Sequence, residues 1–152
     1  MVTLLKDYKN PVVLWIDDNA SLRKLAQRAL TKTGFDCVTA KSGEEALSMM
    51  ANVEPDLILL DIEMPGMNGF ETCIAIQSVR KQSGQDKVPI LMVSGHDDLE
   101  FLDQAYDLGV IDIVLKPINW KLLVHRIRYI LDNTNNPEAN KFNFDSAKAN
   151  TH

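Results

Sequence analysis

Apolar residues gather into five short runs along the chain: Val12 to Ile16, Phe35 to Thr39, Leu57 to Leu60, Val88 to Val93 and Ile111 to Leu115. Each is followed by turn-forming residues. Short runs of this kind, rich in Val, Ile and Leu, predict strands buried on both faces. The stretches between them carry apolar positions at helical spacing. Leu22, Leu25, Ala26, Ala29 and Leu30 fall at i, i+3, i+4, i+7 and i+8 on one face, with Asn19 or Ser21 as the cap and Gly34 as the stop. Ser42-Gly43-Glu44-Glu45 opens a second helix in which Ala46, Leu47 and Met50 share a face, and a third runs from about Gly69 to Lys81. A fourth begins at Asp97-Asp98, whose charges suit a helix N-terminus, and stops at Gly109. The fifth starts near Asn119 and buries Trp120, Leu123, Val124, Ile127, Ile130 and Leu131. Strands alternating with helices in this way predict an α/β fold: a doubly wound, five-stranded parallel sheet with helices on both faces.

Length and composition bound this picture without altering it. At 152 residues and 45% apolar content the chain holds one domain with a full core. The expected layout is an N-terminal extension over 1–10, the domain over 11–132 and a flexible linker or tail over 133–152. From Asn133 the composition turns to Asn, Lys, Ser and Ala, with Phe142 and Phe144 as the large apolar residues. No apolar run approaches a membrane span, and the N-terminus lacks the layout of a signal peptide. A formal charge of -5 and the absence of any Lys/Arg cluster argue against a nucleic-acid face. Cys37 and Cys73 sit in apolar stretches and form no metal-type or disulfide pattern, so buried thiols in a reducing, cytoplasmic setting are expected.

The chemistry lies at the strand ends. The first run ends in Asp17-Asp18, the third in Asp61, the fourth in Ser94-Gly95 and the fifth in Lys116-Pro117. In an open parallel sheet these all gather on the carboxyl edge, where such folds bind ligands. Three carboxylates brought together repel one another, and a hard divalent cation held by oxygen ligands, Mg²⁺, relieves them. With that cation and the Lys116 ammonium nearby, Asp61 stays ionised and nucleophilic, and Ser94 donates to an incoming phosphoryl oxygen. The set suits the formation of an aspartyl phosphate.

Residues 11 to about 132 resemble the receiver domain of two-component response regulators. The resemblance rests on Trp15-Ile16-Asp17-Asp18, on Leu59-Leu60-Asp61-Ile62-Glu63-Met64-Pro65-Gly66-Met67-Asn68-Gly69, on Val93-Ser94-Gly95 and on Leu115-Lys116-Pro117, in order and at similar spacing. It implies a flavodoxin-like strand order, 2-1-3-4-5, and a phosphoryl group passed from a histidine kinase or phosphotransfer protein to Asp61. By the same resemblance Asp18 binds Mg²⁺ directly, Asp17 acts largely through water, and the Glu63 backbone carbonyl completes the protein ligands. Ser94 and Lys116 contact the phosphoryl group, and their rearrangement signals to the face of the fourth helix, fifth strand and fifth helix, where a homodimer can form. Glu63 and His96 occupy positions that tune access of water to the phosphoryl group, and a cis peptide is implied before Pro117. One departure stands out. The family usually carries Tyr or Phe three residues before the lysine, and this chain has Ile113, so the usual inward swing of an aromatic ring has no counterpart here.

A weaker likeness links Lys116-Pro117-Ile118-Asn119-Trp120 and His125-Arg126-Ile127-Arg128-Tyr129 to receivers that precede cyclic-di-GMP synthase or phosphodiesterase domains. A C-terminal output domain of that kind is not among these residues. Phe101, Leu122 and Tyr129 lie off the expected buried faces and suggest an interaction surface, while His125 reads as exposed and Met49, Met50, Met64 and Met67 as packing or loop residues. The rival functions are a haloacid-dehalogenase-type phosphatase, a flavodoxin-like cofactor carrier and a degenerate receiver serving only as a protein-interaction module. The phosphatase places its nucleophile on the first motif, not the third. The carrier's phosphate loop follows the first strand, where Asp17-Asp18 would repel a phosphate. The intact Asp61, Ser94 and Lys116 weigh against the degenerate receiver.

Overall fold

The computed structural model describes residues 10–84, 87–95 and 99–135. In its first unit, up to Asn119, five parallel strands form one sheet in the order β2-β1-β3-β4-β5. The strands are β1 (Val12–Ile16), β2 (Asp36–Ala40), β3 (Leu57–Asp61), β4 (Ile90–Ser94) and β5 (Asp112–Leu115), and four helices alternate with them: α1 (Ala20–Lys32), α2 (Gly43–Met49), α3 (Gly69–Ser83) and α4 (Leu99–Asp107). The chain order therefore reverses between β1 and β3, which is the topological switch point of the sheet.

Alternation along the strands sorts the core into two faces. Leu14, Ile16, Ile58, Leu60, Ile90, Met92 and Ile113 pack with Ala46 of α2, Cys73 and Ile76 of α3 and Ala105 of α4. The opposite side chains, among them Val13, Trp15, Leu57, Leu59 and Leu91, are equally buried. There α1 lies against β1 and β2, burying Ala26 and Leu30, and Gln27 Nε2 donates to the Cys37 carbonyl at 3.2 Å. Helices thus cover both faces, and continuous apolar strands follow from that arrangement. Both cysteines are buried free thiols, and burial pushes Cys37 up to about 12 and Cys73 to about 11.

Element ends depart from the sequence pattern for local reasons. β2 starts at Asp36 because the Phe35 N–H is spent on the Leu30 carbonyl at the end of α1. β4 starts at Ile90, after Pro89, which has no N–H to give the ladder. Asn19, not Ser21, caps α1, and Leu25, expected on its buried face, is half-exposed at the edge of a stripe centred on Ala26 and Leu30. The same helix turns Lys24, Arg28 and Lys32, four residues apart, into a basic row invisible in the linear sequence. Phe101 is not a free surface residue: its ring meets Phe70 edge-on, with centroids 5.3 Å apart. The Asp97-Asp98 start expected for α4, and His96, lie outside the described residues.

The second unit contributes α5 (Trp120–Asn135), in which Leu123, Val124, Ile127, Ile130 and Leu131 are buried while Leu122 and Tyr129 are exposed. Trp120, expected to be buried, is only partly so, and the helix runs past the compositional change at Asn133. No helix among the described residues is long and apolar enough to cross a membrane.

The turn after β3 is tightly packed against its own backbone. Asn68 caps α3 in a reciprocal capping box with Glu71, and Gly69 donates to the Ile62 carbonyl at 2.9 Å. A Cβ on Gly69 would lie 2.5 Å from Ile62 Cα and 2.8 Å from the Asp61 carbonyl oxygen. Both neighbours are backbone and cannot step aside. Gly69→Ala is therefore expected to cost at least about 2 kcal/mol, measured by urea denaturation, whereas Gly34→Ala, with no atom within 4 Å of its Cβ, should show a penalty set only by its positive φ.

Candidate functional site

The parallel sheet brings the chemistry-bearing residues to one edge, and hydrogen bonds continue the ladders past the strand ends. The N–H of Asp17 donates to Ala40, that of Ile62 to Val93 and that of Lys116 to Ser94, at 3.0, 3.1 and 2.8 Å. These bonds fix the backbone beneath the side chains. Carboxylate oxygens of Asp17, Asp18 and Asp61 all lie within 4.8 Å of one another. Asp17 and Asp61 are buried, while Asp18 is exposed. The Lys116–Pro117 bond is cis.

Each carboxylate has a defined setting. Asp61 Oδ1 accepts from the Lys116 ammonium at 3.2 Å and from the Glu63 N–H at 3.4 Å. Its other oxygen accepts no hydrogen bond from the described residues. Asp17 takes the Trp15 indole N–H on Oδ2 at 3.3 Å and the Asn19 N–H on Oδ1 at 2.9 Å, while Arg23 grips its backbone carbonyl at 2.8 Å. Ser94 is fully buried, and its hydroxyl donates at 3.3 Å to Glu63 Oε1, which also receives the Gly95 N–H at 3.3 Å. Ile113 is buried in the core and pairs with Met92.

Electrostatically the site is short of positive charge. Burial and then the neighbouring Asp17 carboxylate push Asp61 up to about 6, while Lys116 and the Glu63 N–H pull in the opposite direction. A donor set made only of oxygens, partly buried and under-compensated, fits a hard divalent cation. Sequence reasoning reached Asp17, Asp18, Asp61, Ser94 and Lys116 from their places at strand ends, and the fold brings those ends together. It missed the indole of Trp15 on Asp17, the grip of Arg23, and the Glu63 side chain on Ser94. Parity gave a faint signal for the first, since Trp15 and Asp17 alternate onto one side of β1.

The response regulator receiver domain model matches residues 13–128. The chain belongs to this family. Among relatives of the receiver, a probable transcriptional regulator, ycf27, of Guillardia theta is 41% identical over 123 residues, which are 81% of this chain and 46% of that protein. The transcriptional regulatory protein AfsQ1 of Streptomyces coelicolor is 34% identical, over 80% of this chain and 51% of its own length. The chain thus spans about half the length of the curated relatives it matches. Among solved structures, the chemotaxis protein CheY4 of Vibrio cholerae superposes with a TM-score of 0.72 at 31% identity, covering 79% of this chain and 98% of that one. The receiver fold accounts for the strand order, and it favours neither the phosphatase nor the cofactor carrier.

The raised affinity of Asp61 for its proton has a measurable sign. Below about pH 4 the carboxyl is neutral in folded and unfolded chains alike. Between there and about pH 6 the folded chain keeps a proton that the unfolded chain has lost, so stability falls as pH rises through this window. Asp61→Asn keeps an acceptor for Lys116 and removes the buried charge. In chelator-containing buffer it is expected to stabilise the domain by on the order of 2–3 kcal/mol at pH 7.5, a gain that vanishes near pH 4. Thermal melts at the two pH values check both sign and window, and a uniform effect at both would refute the assignment to Asp61 ionisation.

Proposed function

We propose that this receiver is a phosphoacceptor switch in which Asp61 takes a phosphoryl group from a histidine kinase or phosphotransfer protein. The observation that carries the reading is the state of Asp61: one oxygen held by Lys116 at 3.2 Å, the other unengaged by the described residues, inside a cluster of three carboxylates. The unengaged oxygen attacks phosphorus. A new O–P bond forms as the bond from phosphorus to the donor's histidine nitrogen breaks, and its electron pair leaves with that nitrogen. Lys116 neutralises the phosphoryl oxygens and Ser94 donates to one of them.

Asp17, Asp18, Asp61 and the Glu63 backbone carbonyl are the residues that would hold Mg²⁺. When bound, that ion supplies positive charge against the phosphoryl oxygens and relieves the carboxylates. Asp17 is oriented by the Trp15 indole N–H and the Asn19 N–H. The chain acts on itself, with self-catalysed phosphorylation and dephosphorylation and no turnover of a separate substrate.

The same reading covers domain layout and partners. The receiver begins at about residue 11 and runs through the end of α5, three residues beyond the expected boundary at 132, with 1–10 as an extension and the residues after α5 as linker or tail, and a C-terminal output domain or a separate protein reads the signal. Transcriptional relatives of twice the matched length support an output carried outside the receiver. Two free buried thiols support a reducing, cytoplasmic setting. Tyr106, Ile111 and Leu115 in the first unit are exposed apolar residues suited to contact with a second copy, and so, taken by themselves, are Leu122 and Tyr129 on α5.

Two measurements test this. Acetyl phosphate with Mg²⁺ should add the mass of one phosphoryl group at Asp61; Asp61→Asn should abolish the gain, and Lys116→Ala should slow it by roughly 10²-fold. Sustained hydrolysis of phosphate esters, or an unchanged mass, would overturn the reading. Sedimentation velocity should show self-association that strengthens with Mg²⁺ and beryllofluoride. A monomer in both states would remove the homodimer while leaving the phosphoacceptor role intact.

A further inference from the structure

Glu63 joins the two halves of the site. Its N–H donates to Asp61 Oδ1, while its side-chain Oε1 receives both the Ser94 hydroxyl and the Gly95 N–H. Those two donors stand at the end of β4, the strand paired directly with β3 through Asp61 and Val93. A phosphoryl group on Asp61 presents anionic oxygens at this same edge, and the donors that would meet it are already committed to another anion. A carboxylate and a phosphoryl oxygen compete for the same class of charge-assisted hydrogen bond.

We propose that Glu63 is a positioning residue whose carboxylate stands in for the phosphoryl group, holding Ser94 and Gly95 until phosphorylation displaces it. The proposal rests on Asp61 being the phosphoacceptor and adds a regulation of that site. Phosphorylation then exchanges one anion for another at the end of β4 and does not create hydrogen bonds where there were none. The exchange is feasible because Glu63 is exposed, so its released carboxylate returns to water at small cost. The Ser94 hydroxyl is different. It belongs to a fully buried residue, and a buried hydroxyl left without an acceptor is costly. Ser94 therefore favours an acceptor in both states, and Glu63 accepts its hydroxyl before phosphorylation. The backbone transmits the change, since the Ser94 carbonyl accepts the Lys116 N–H at 2.8 Å. Movement of Ser94 is felt at the residue that pairs with Asp61.

The test uses beryllofluoride as the phosphoryl mimic at saturating Mg²⁺, with binding measured by calorimetry on the full chain. Glu63→Ala removes the competitor and should tighten beryllofluoride binding about three- to tenfold. Glu63→Gln, which keeps an acceptor and loses the charge, should fall between. In a Ser94→Ala background the gain from Glu63→Ala should shrink to less than about twofold. In the ligand-free chain the Gly95 amide resonance should shift in Glu63→Ala. Unchanged or weaker binding by a folded Glu63→Ala overturns the proposal. So does an equal gain with and without the Ser94 hydroxyl, which would assign the effect to charge repulsion. A parent chain that binds no beryllofluoride overturns the phosphoacceptor reading along with it, whereas binding without the Glu63 effect removes this inference alone.

Discussion

Two buried carboxylates, Asp17 and Asp61, are held together against their own repulsion, and the rest of the site is arranged around that fact. Their proximity comes from β1 and β3 being adjacent parallel strands in register, Ile16 beside Leu60, so the residues that follow emerge side by side. Nothing in the side chains alone would keep them there. The ladder bonds that extend past the strand ends do so, and the apolar packing on both faces makes those bonds hard to break. Lys116 offsets part of the repulsion but is itself partly exposed, so the site retains a deficit of positive charge. Burial of Asp61 and the neighbouring Asp17 carboxylate together raise its proton affinity, to a pKa of about 6.

The route from Asp61 to the rest of the domain is unusual at one place. Ile113 is a fixed member of the core, in contact with the cluster that includes Met92 and Ala105. It carries no polar tip that would draw it toward the surface in one state and not in another. Coupling through a moving ring at this position is therefore absent. Other links between the site and α4 are present: Phe70, the second residue of α3 after the β3 turn, meets Phe101 of α4 edge-on, and Gln77 of α3 donates to the Leu108 carbonyl at the end of α4 at 2.5 Å. These contacts tie α4 to the helix that begins where the turn after β3 ends.

The hydrophobic pattern made the architecture legible because continuous apolar runs mark strands buried on both faces, while a period of 3.6 marks the amphipathic helices between them. Asp17, Asp18, Asp61, Ser94 and Lys116 were legible for a related reason: a parallel sheet sends every strand end to one edge, so polar residues at those ends gather there. What escaped was long-range and between side chains. The Glu63 to Ser94 contact joins residues 31 apart, and no local rule pairs an exposed glutamate in one loop with a buried serine in another. The Phe70 and Phe101 pair was hidden likewise, since each ring falls at the margin of its own helix stripe. Leu25 failed in the other direction, because helical spacing assigns a face and not a depth.

The strength of these missed contacts decides how the domain can switch. Backbone ladders and a close-packed core resist partial displacement, so they hold one arrangement. Side-chain hydrogen bonds to an exposed carboxylate contribute far less, and a bond to a charged acceptor is worth roughly 1.5–3 kcal/mol. A conformational change that must be reversed by adding or removing one phosphoryl group needs its two states within a few kcal/mol of each other. The rigid part of the site, Asp17 just past β1 and Asp61 at the end of β3, cannot supply such a balance. The end of β4 can, because Ser94 there is bound by an acceptor of the same charge type as a phosphoryl oxygen, and near-equal acceptors give near-equal states. In the proposed switch, rigid carboxylates and an exchangeable anion are thus separate requirements, and their residues stand at the ends of the adjacent strands β3 and β4.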